Sequence, residues 1–203
     1  MDVPTQYENA APTWNKKVSR LGYSKAYTEF LAQGALRSGP VLDVGTGTGT
    51  FASSWLEAGG SSDLSLLDQS TEMLKQARQH FALRGVSPKI INSKFDDFST
   101  DTKFDAILAA HVLEHFENPA EAMRKFARTL APQGRLYLVV SKPHWCNWVI
   151  WLRFRHRWFA PEVIQEMAQD AGLSEVAVHS FLSGPPSRTS FGYIFSKTQP
   201  KDA

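Results

Sequence analysis

The sequence predicts an α/β protein built on a mostly parallel β-sheet with helices on both faces. Three observations carry that expectation. From Val41 onward, short apolar runs of strand length alternate with stretches of helical periodicity, the pattern of consecutive βαβ units. The first run, VLDV, passes directly into the glycine-rich turn GTGTGTF at Gly45 to Phe51, a turn of the type that lets backbone approach a ligand. Near the end of the chain, two β-rich segments follow each other with no room for a crossover helix, so they should pair antiparallel.

The elements follow in order. Ahead of the first strand, Trp14, Val18, Leu21, Tyr23, Tyr27, Phe30 and Leu31 recur at helical spacing and predict an aromatic-rich leader helix. Strands are expected at Val41 to Val44, Leu64 to Leu67, Lys89 to Asn92, Phe104 to Ala110 and Arg135 to Ser141. Between the last two, Met123, Phe126, Ala127 and Leu130 mark the core stripe of a helix that Asn118 caps, Pro119 enters and Pro132 stops. Another helix should begin at Pro161, bury Val163, Ile164, Met167 and Ala171, and end at Gly172 in a left-handed cap. The final pair of strands is Val176 to Leu182 and Ser190 to Lys197.

With 203 residues, 42% of them hydrophobic, the chain can bury one sizeable core, and 1–203 is expected to form a single domain. A formal net charge of +2 argues against nucleic acid as a partner. The start MDVPTQYENAAPTW is polar and no ~18-residue apolar run occurs, so neither export nor a membrane span is expected. Cys146 has no second cysteine to pair with, which suits a reducing cytoplasm. The chain is expected to be a monomer or a homodimer.

The chemistry starts at Asp43, which ends the first strand just before Gly45, Gly47 and Gly49. A second strand-terminal acid, Asp68 in LSLLDQS, falls 19 residues after Gly49, where a βαβ nucleotide site places an acid for ribose hydroxyls. Thr50 stands where a dinucleotide dehydrogenase wants its third glycine, so the spacing favours a different adenosine-containing ligand.

From Val41 to the C-terminus the chain resembles the class I S-adenosylmethionine-dependent methyltransferases. The resemblance rests on the glycine-rich loop with STEML at Ser70 to Leu74, HVLEHFENP at His111 to Pro119 and LAPQGRLYLVV at Leu130 to Val140. Within the family it looks closest to the branch with ubiquinone-biosynthesis O-methyltransferases and bacterial phospholipid N-methyltransferases. The resemblance implies a Rossmann-like methyltransferase fold with seven strands ordered 3-2-1-4-5-7-6, the last one antiparallel. It divides the chain into an N-terminal helical lid (1–38), a cofactor-binding core (39–142), an aromatic and basic insertion (143–160), and a last helix with terminal hairpin (161–203). It further implies S-adenosylmethionine as cofactor and S-adenosylhomocysteine as product. Asp43, Gly45 and Gly47 would lie at the methionine end with Gly49 completing the loop, Asp68 would take the ribose hydroxyls, and Gln69 and Met73 would flank ribose and adenine. Met73 has a competing reading as a core methionine. INSKFDDF departs from the family's acid at the third strand's end, which leaves Phe95 and Asp96 as candidates for adenine.

Methyl transfer to an activated electrophile needs orientation and exclusion of water above all. A hydroxyl acceptor would also need a base, and His111, Glu114 and His115 follow the fourth strand, where open α/β sheets form their crevice. His111 is also expected to border the cofactor. Relatives with a similar motif hold a divalent metal through two acids and a histidine. Here His111 occupies an acid's place, and no metal is expected.

Four of the six tryptophans lie in PHWCNWVIWLRFRHRWF, Pro143 to Phe159, interleaved with Arg153, Arg155, His156 and Arg157. Trp145, Trp148 and Trp151 roof an acceptor pocket on one reading, while on another 145–159 touches an anionic membrane surface, at the inner face of the membrane. Packing against the sheet is the third reading. Tyr23 and Arg188 are the remaining candidates to meet the acceptor. The expected function is methyl transfer to oxygen or nitrogen of a small aromatic or lipophilic acceptor. The alternatives are a membrane-surface phospholipid or amine N-methyltransferase and a non-catalytic adenosylmethionine-binding module.

Overall fold

A computed structural model describes residues 22–142, 157–182 and 184–197. Its elements are helix α1 (Tyr23–Leu31), β1 (Val41–Val44), α2 (Thr50–Glu57), β2 (Leu64–Asp68), α3 (Thr71–Ala82), β3 (Lys89–Asn92) and β4 (Phe104–Ala110). A short 3-10 turn (Leu113–His115) then leads into α4 (Pro119–Thr129) and β5 (Leu130–Ser141). After it come α5 (Pro161–Asp170), β6 (Leu173–Ser180), the single turn α6 (Pro186–Thr189) and β7 (Ser190–Lys197). The seven strands form one sheet in the expected order β3-β2-β1-β4-β5-β7-β6. β7 runs antiparallel to both β5 and β6, and the other pairings are parallel.

β1 reads VLDV without polar alternation because both of its faces are covered. On one side Leu42, Val44, Ile107, Leu136 and Leu138 meet Met123 and Phe126 of α4 and Ile164 and Ala168 of α5. On the other, Val41, Leu66, Leu108 and Tyr137 meet Phe30 of α1, Phe51 and Trp55 of α2, and Leu74 and Phe81 of α3. The leader helix is seated by a close approach: a Cβ on Gly192 of β7 would stand 2.7 Å from the Phe30 ring. Phe30 also stacks on Phe51 with centroids 6.4 Å apart and planes 5° from parallel.

Several details differ from expectation, beyond the one-residue extension of β2 to Asp68. β5 begins at Leu130, ahead of Arg135, because strand pairing continues through an irregular entrance. Leu130 pairs with Phe104, the register shifts, and Arg135 then pairs with Ala106. Gly134 is needed in that entrance, since a Cβ there would lie 2.9 Å from the Ala131 and Phe104 carbonyl oxygens. β6 starts at Leu173 and stops at Ser180, leaving Leu182 89% exposed beyond it. On α5 the buried residues are Ile164 and Ala168, and Val163 faces solvent. Gly172 takes the left-handed conformation expected of it, with φ 76°.

The strand order reverses between β1 and β4, where an open α/β sheet forms its ligand crevice. The two loops leaving these strands meet closely. A Cβ on Gly45 would come within 2.5 Å of the Val112 side chain.

Candidate functional site

The β1 side of the crevice is a turn held by backbone. Gly45, Gly47 and Gly49 have φ of 66°, 54° and 85°, a region where L side chains are strained. The Gly45 and Thr46 amides both donate to the Leu67 carbonyl of β2, at 2.8 and 3.0 Å. A Cβ on Gly49 would strike Phe81 at 2.6 Å, so this glycine serves packing. At Gly47 the Cβ direction is open for 4 Å, so there the turn presents bare backbone to an incoming group.

Two acids flank that opening. Asp43 is 1% exposed and accepts a 2.6 Å hydrogen bond from the Thr46 hydroxyl. Burial pushes its carboxyl up to about 7 against the hydrogen bonds from Thr46 and the Ala52 amide, and the neighbouring Asp68 adds to the rise. Asp68 accepts from the Gly47 amide through Oδ2 and from the Ser70 amide through Oδ1, both at 2.8 Å. It too is raised by burial. Beside it, the Ser70 hydroxyl caps α3 by accepting from the Met73 amide. Met73 is buried yet belongs to neither apolar cluster, and Gln69 is exposed. Phe95 and Asp96 sit beyond β3. The Phe95 ring stacks on Phe126 with centroids 4.8 Å apart and packs with Phe116 in the α4-side core, while Asp96 is exposed. Lys125 of α4 clips this loop by donating to both of their carbonyls.

The β4 side is built from side chains. His111, at the end of β4, is a non-glycine residue in the left-handed region, φ 55°, and its amide donates to Val139 of β5 at 2.8 Å. Its Nδ1 lies 3.2 Å from both Glu114 Oε1 and Ser141 Oγ, and its Nε2 lies 3.4 Å from Ser190 Oγ. Glu114 is 2% exposed, and its Oε1 accepts from the Ser141 amide at 2.7 Å. Ser190 adjoins Thr189 Oγ1 at 3.2 Å, and Thr189 is hydrogen-bonded to the Tyr23 hydroxyl. The Tyr23 ring meets that of His111 edge to face, centroids 6.4 Å apart. Helix α1 spans both sides through Tyr27. Burial drives its phenol well above the usual value, with further contributions from Tyr23, Glu114 and Asp43.

The sequence therefore named His111, Glu114 and Tyr23, which the fold brings together, while His115 is exposed at the end of the 3-10 turn. Arg188 is exposed on α6. Trp145, Trp148 and Trp151 lie outside the described residues. Ser141, Thr189 and Ser190 were missed, because a serine or threonine at a strand end carries no periodicity or spacing that singles it out. Among the described residues, no group of three or more His, Cys, Asp or Glu side chains is placed to hold a metal ion. Among them, too, no helix is long and apolar enough to cross a membrane.

Residues 14–178 match a family model described as a methyltransferase domain. A demethylmenaquinone methyltransferase of Chlamydia muridarum is 28% identical over 145 residues, 70% of this chain and 63% of its own length. A ubiquinone biosynthesis O-methyltransferase of Idiomarina loihiensis is 24% identical over 182 residues, 82% of this chain and 72% of its own. Among solved structures, the chain held in complex with the Trm112 methyltransferase activator of Haloferax volcanii shares the fold, with a TM-score of 0.82, 18% identity and full coverage of both chains.

Proposed function

The chain belongs to the methyltransferase domain family, and from that premise we propose that it transfers a methyl group from S-adenosylmethionine to a hydroxyl oxygen of a small, lipophilic, quinol-type acceptor. The single observation that carries the cofactor half is the Gly47 turn. Its amide is fixed by Asp68, its Cβ direction is open, and the buried Asp43 stands beside it. Two carboxyls raised by burial call for a cation or hydroxyl donors nearby, and an amino acid end and a ribose offer both. When bound, S-adenosylmethionine supplies a methyl group already activated on a sulfonium. Asp43 takes the amino group and Asp68 keeps lone pairs for the ribose while it holds the loop. His111, at the same crevice, receives the acceptor's proton. The quinol class is supported by the names of the two relatives, one a methyltransferase of demethylmenaquinone and the other an O-methyltransferase of ubiquinone biosynthesis.

Calorimetric titration with S-adenosylhomocysteine tests the cofactor half. The wild type should saturate, and Asp68→Asn should bind roughly 10-fold or more weaker, the loss expected when hydrogen bonds to a charged acceptor go. Tritiated S-adenosylmethionine with a short-chain alkyl hydroquinone and the matching alkylcatechol tests the acceptor half, with label expected in the organic extract. No binding by well-folded protein would refute the reading.

A further inference from the structure

The ring of His111 is gripped at both nitrogens by residues from three different elements, and its backbone is held in a left-handed conformation that costs a non-glycine residue roughly 1 kcal/mol or more. Strain of this kind persists where surrounding contacts fix the residue, and it clusters at functional sites. The contacts also settle which nitrogen bears the proton. Glu114 Oε1 already accepts the Ser141 amide, so toward His111 Nδ1 it acts as an acceptor as well, and Nδ1 must carry the hydrogen. In the neutral ring this leaves the lone pair on Nε2, which points at the Ser190 hydroxyl.

We propose that Glu114 and Ser190 are positioning residues that set the tautomer and orientation of His111, so that Nε2 is the atom that takes the acceptor's proton. This inference rests on the methyltransferase reading given above. The 3.4 Å contact from Ser190 is at the long end for a hydrogen bond, so it orients the ring while leaving the Nε2 lone pair open to an acceptor hydroxyl that approaches beside it. The acceptor O–H proton moves to Nε2 as its oxygen forms the new bond to the methyl carbon. The carbon–sulfur bond breaks with its electron pair going to sulfur, which turns the sulfonium into a neutral thioether. The imidazolium so formed donates through Nδ1 to Glu114. Ser190 connects onward through Thr189 to Tyr23, which ties the base's placement to the seating of α1.

The test compares two acceptors, the alkylcatechol above and a nitro-substituted catechol that is largely ionised at neutral pH. A base is needed for the first and hardly for the second. Ser190→Ala and Glu114→Gln should each lower kcat on the alkylcatechol roughly tenfold with KM little changed, and the loss should shrink to less than twofold on the nitrocatechol. Ser190→Thr, which keeps the hydroxyl, should restore kcat. Affinity for S-adenosylhomocysteine, measured on every variant, should match the wild type, which separates this effect from a damaged fold. Equal losses on both acceptors, or none on either, would overturn the inference and leave the methyltransferase reading standing. A wild type that binds S-adenosylhomocysteine but labels neither acceptor would overturn the acceptor reading and this inference with it.

Discussion

On the β1–β2 side of the crevice, Asp43, the three glycines and Asp68 come from one stretch, residues 43–68, and the backbone does most of the holding. Across the switch point, His111, Glu114, Ser141 and Ser190 are drawn from residues 111–190, and side chains do the holding. A backbone cradle needs particular φ angles at particular spacings, so it is written contiguously and varies little in chemistry. A side-chain cluster needs only that strand ends converge, and any of them can change independently. On the proposed reading, the backbone half meets the cofactor and the side-chain half meets the acceptor.

The sharpest break between the two halves should come from His111→Ala. Turnover of a hydroxyl acceptor should fall roughly 10²- to 10⁴-fold, the range for a general base, while affinity for S-adenosylhomocysteine stays within about twofold. Parallel kinetics and calorimetry check it. A matching collapse in affinity would mean that the halves are not separable.

On the cofactor side, Asp43 makes a pH signature. Its folded value of about 7 stands above the ordinary 3.8, so folding takes up a proton between these values. The group's cost is absent below about pH 4, grows as pH rises, and is complete above about 7, for a total of about 4 kcal/mol at 1.36 kcal/mol per unit. Asp68 adds a cost of the same sign. Thermal melts of ligand-free protein should therefore lose stability between pH 4 and 7 from these groups, and Asp43→Asn should flatten that loss. A cationic ligand group favours the ionised form, so S-adenosylhomocysteine should release a proton on binding below pH 7, visible as a buffer-dependent heat.

This contrast also explains what was legible in the sequence. Strand order and most strand limits followed from alternating apolar runs and the family resemblance, and the acids and glycines proposed for the cofactor were singled out by VLDVGTGTGTF, LSLLDQS and that resemblance. The start of β5 did not follow, because Pro132 read as a stop and the strand was expected only from Arg135. The strand instead runs through Pro132 with a register shift and a left-handed Gln133. Val163 read as core because its spacing suits it, but the helix turns Ile164 and Ala168 inward, with Met167 and Ala171 partly buried beside them, and Val163 lies off that face. Ser141 and Ser190 were invisible for a different reason: what matters about them is that they flank one imidazole, and no local pattern encodes a meeting across 49 residues of chain.

Within the cradle itself, the glycines should divide by role. Gly49→Ala should cost about 3 kcal/mol in chemical denaturation, from left-handed strain plus the clash with Phe81. Gly47→Ala should cost about 1 kcal/mol, since its Cβ meets nothing, but it should weaken S-adenosylhomocysteine binding more strongly than that number suggests. An affinity unchanged in Gly47→Ala would mean that the open direction is not where the ligand lies.

The smallest effect gives the cleanest comparison, because it removes the same interaction from each half. The Ser70 hydroxyl accepts the Met73 amide at the start of α3, and Asn118 Oδ1 accepts the Glu121 amide at the start of α4, at 3.3 and 3.1 Å. Replacing either residue by alanine should cost about 1 kcal/mol of stability. Only at Ser70 does the cap also anchor the turn that carries Met73 and follows Asp68, so only Ser70→Ala should lower affinity for S-adenosylhomocysteine, by about two- to threefold. The Ser70 amide keeps its bond to Asp68 in the variant, which is why the loss should stay this small. Equal affinity in the two alanine variants would place Met73 with the core rather than the ligand, and the cofactor side would then end at Asp68.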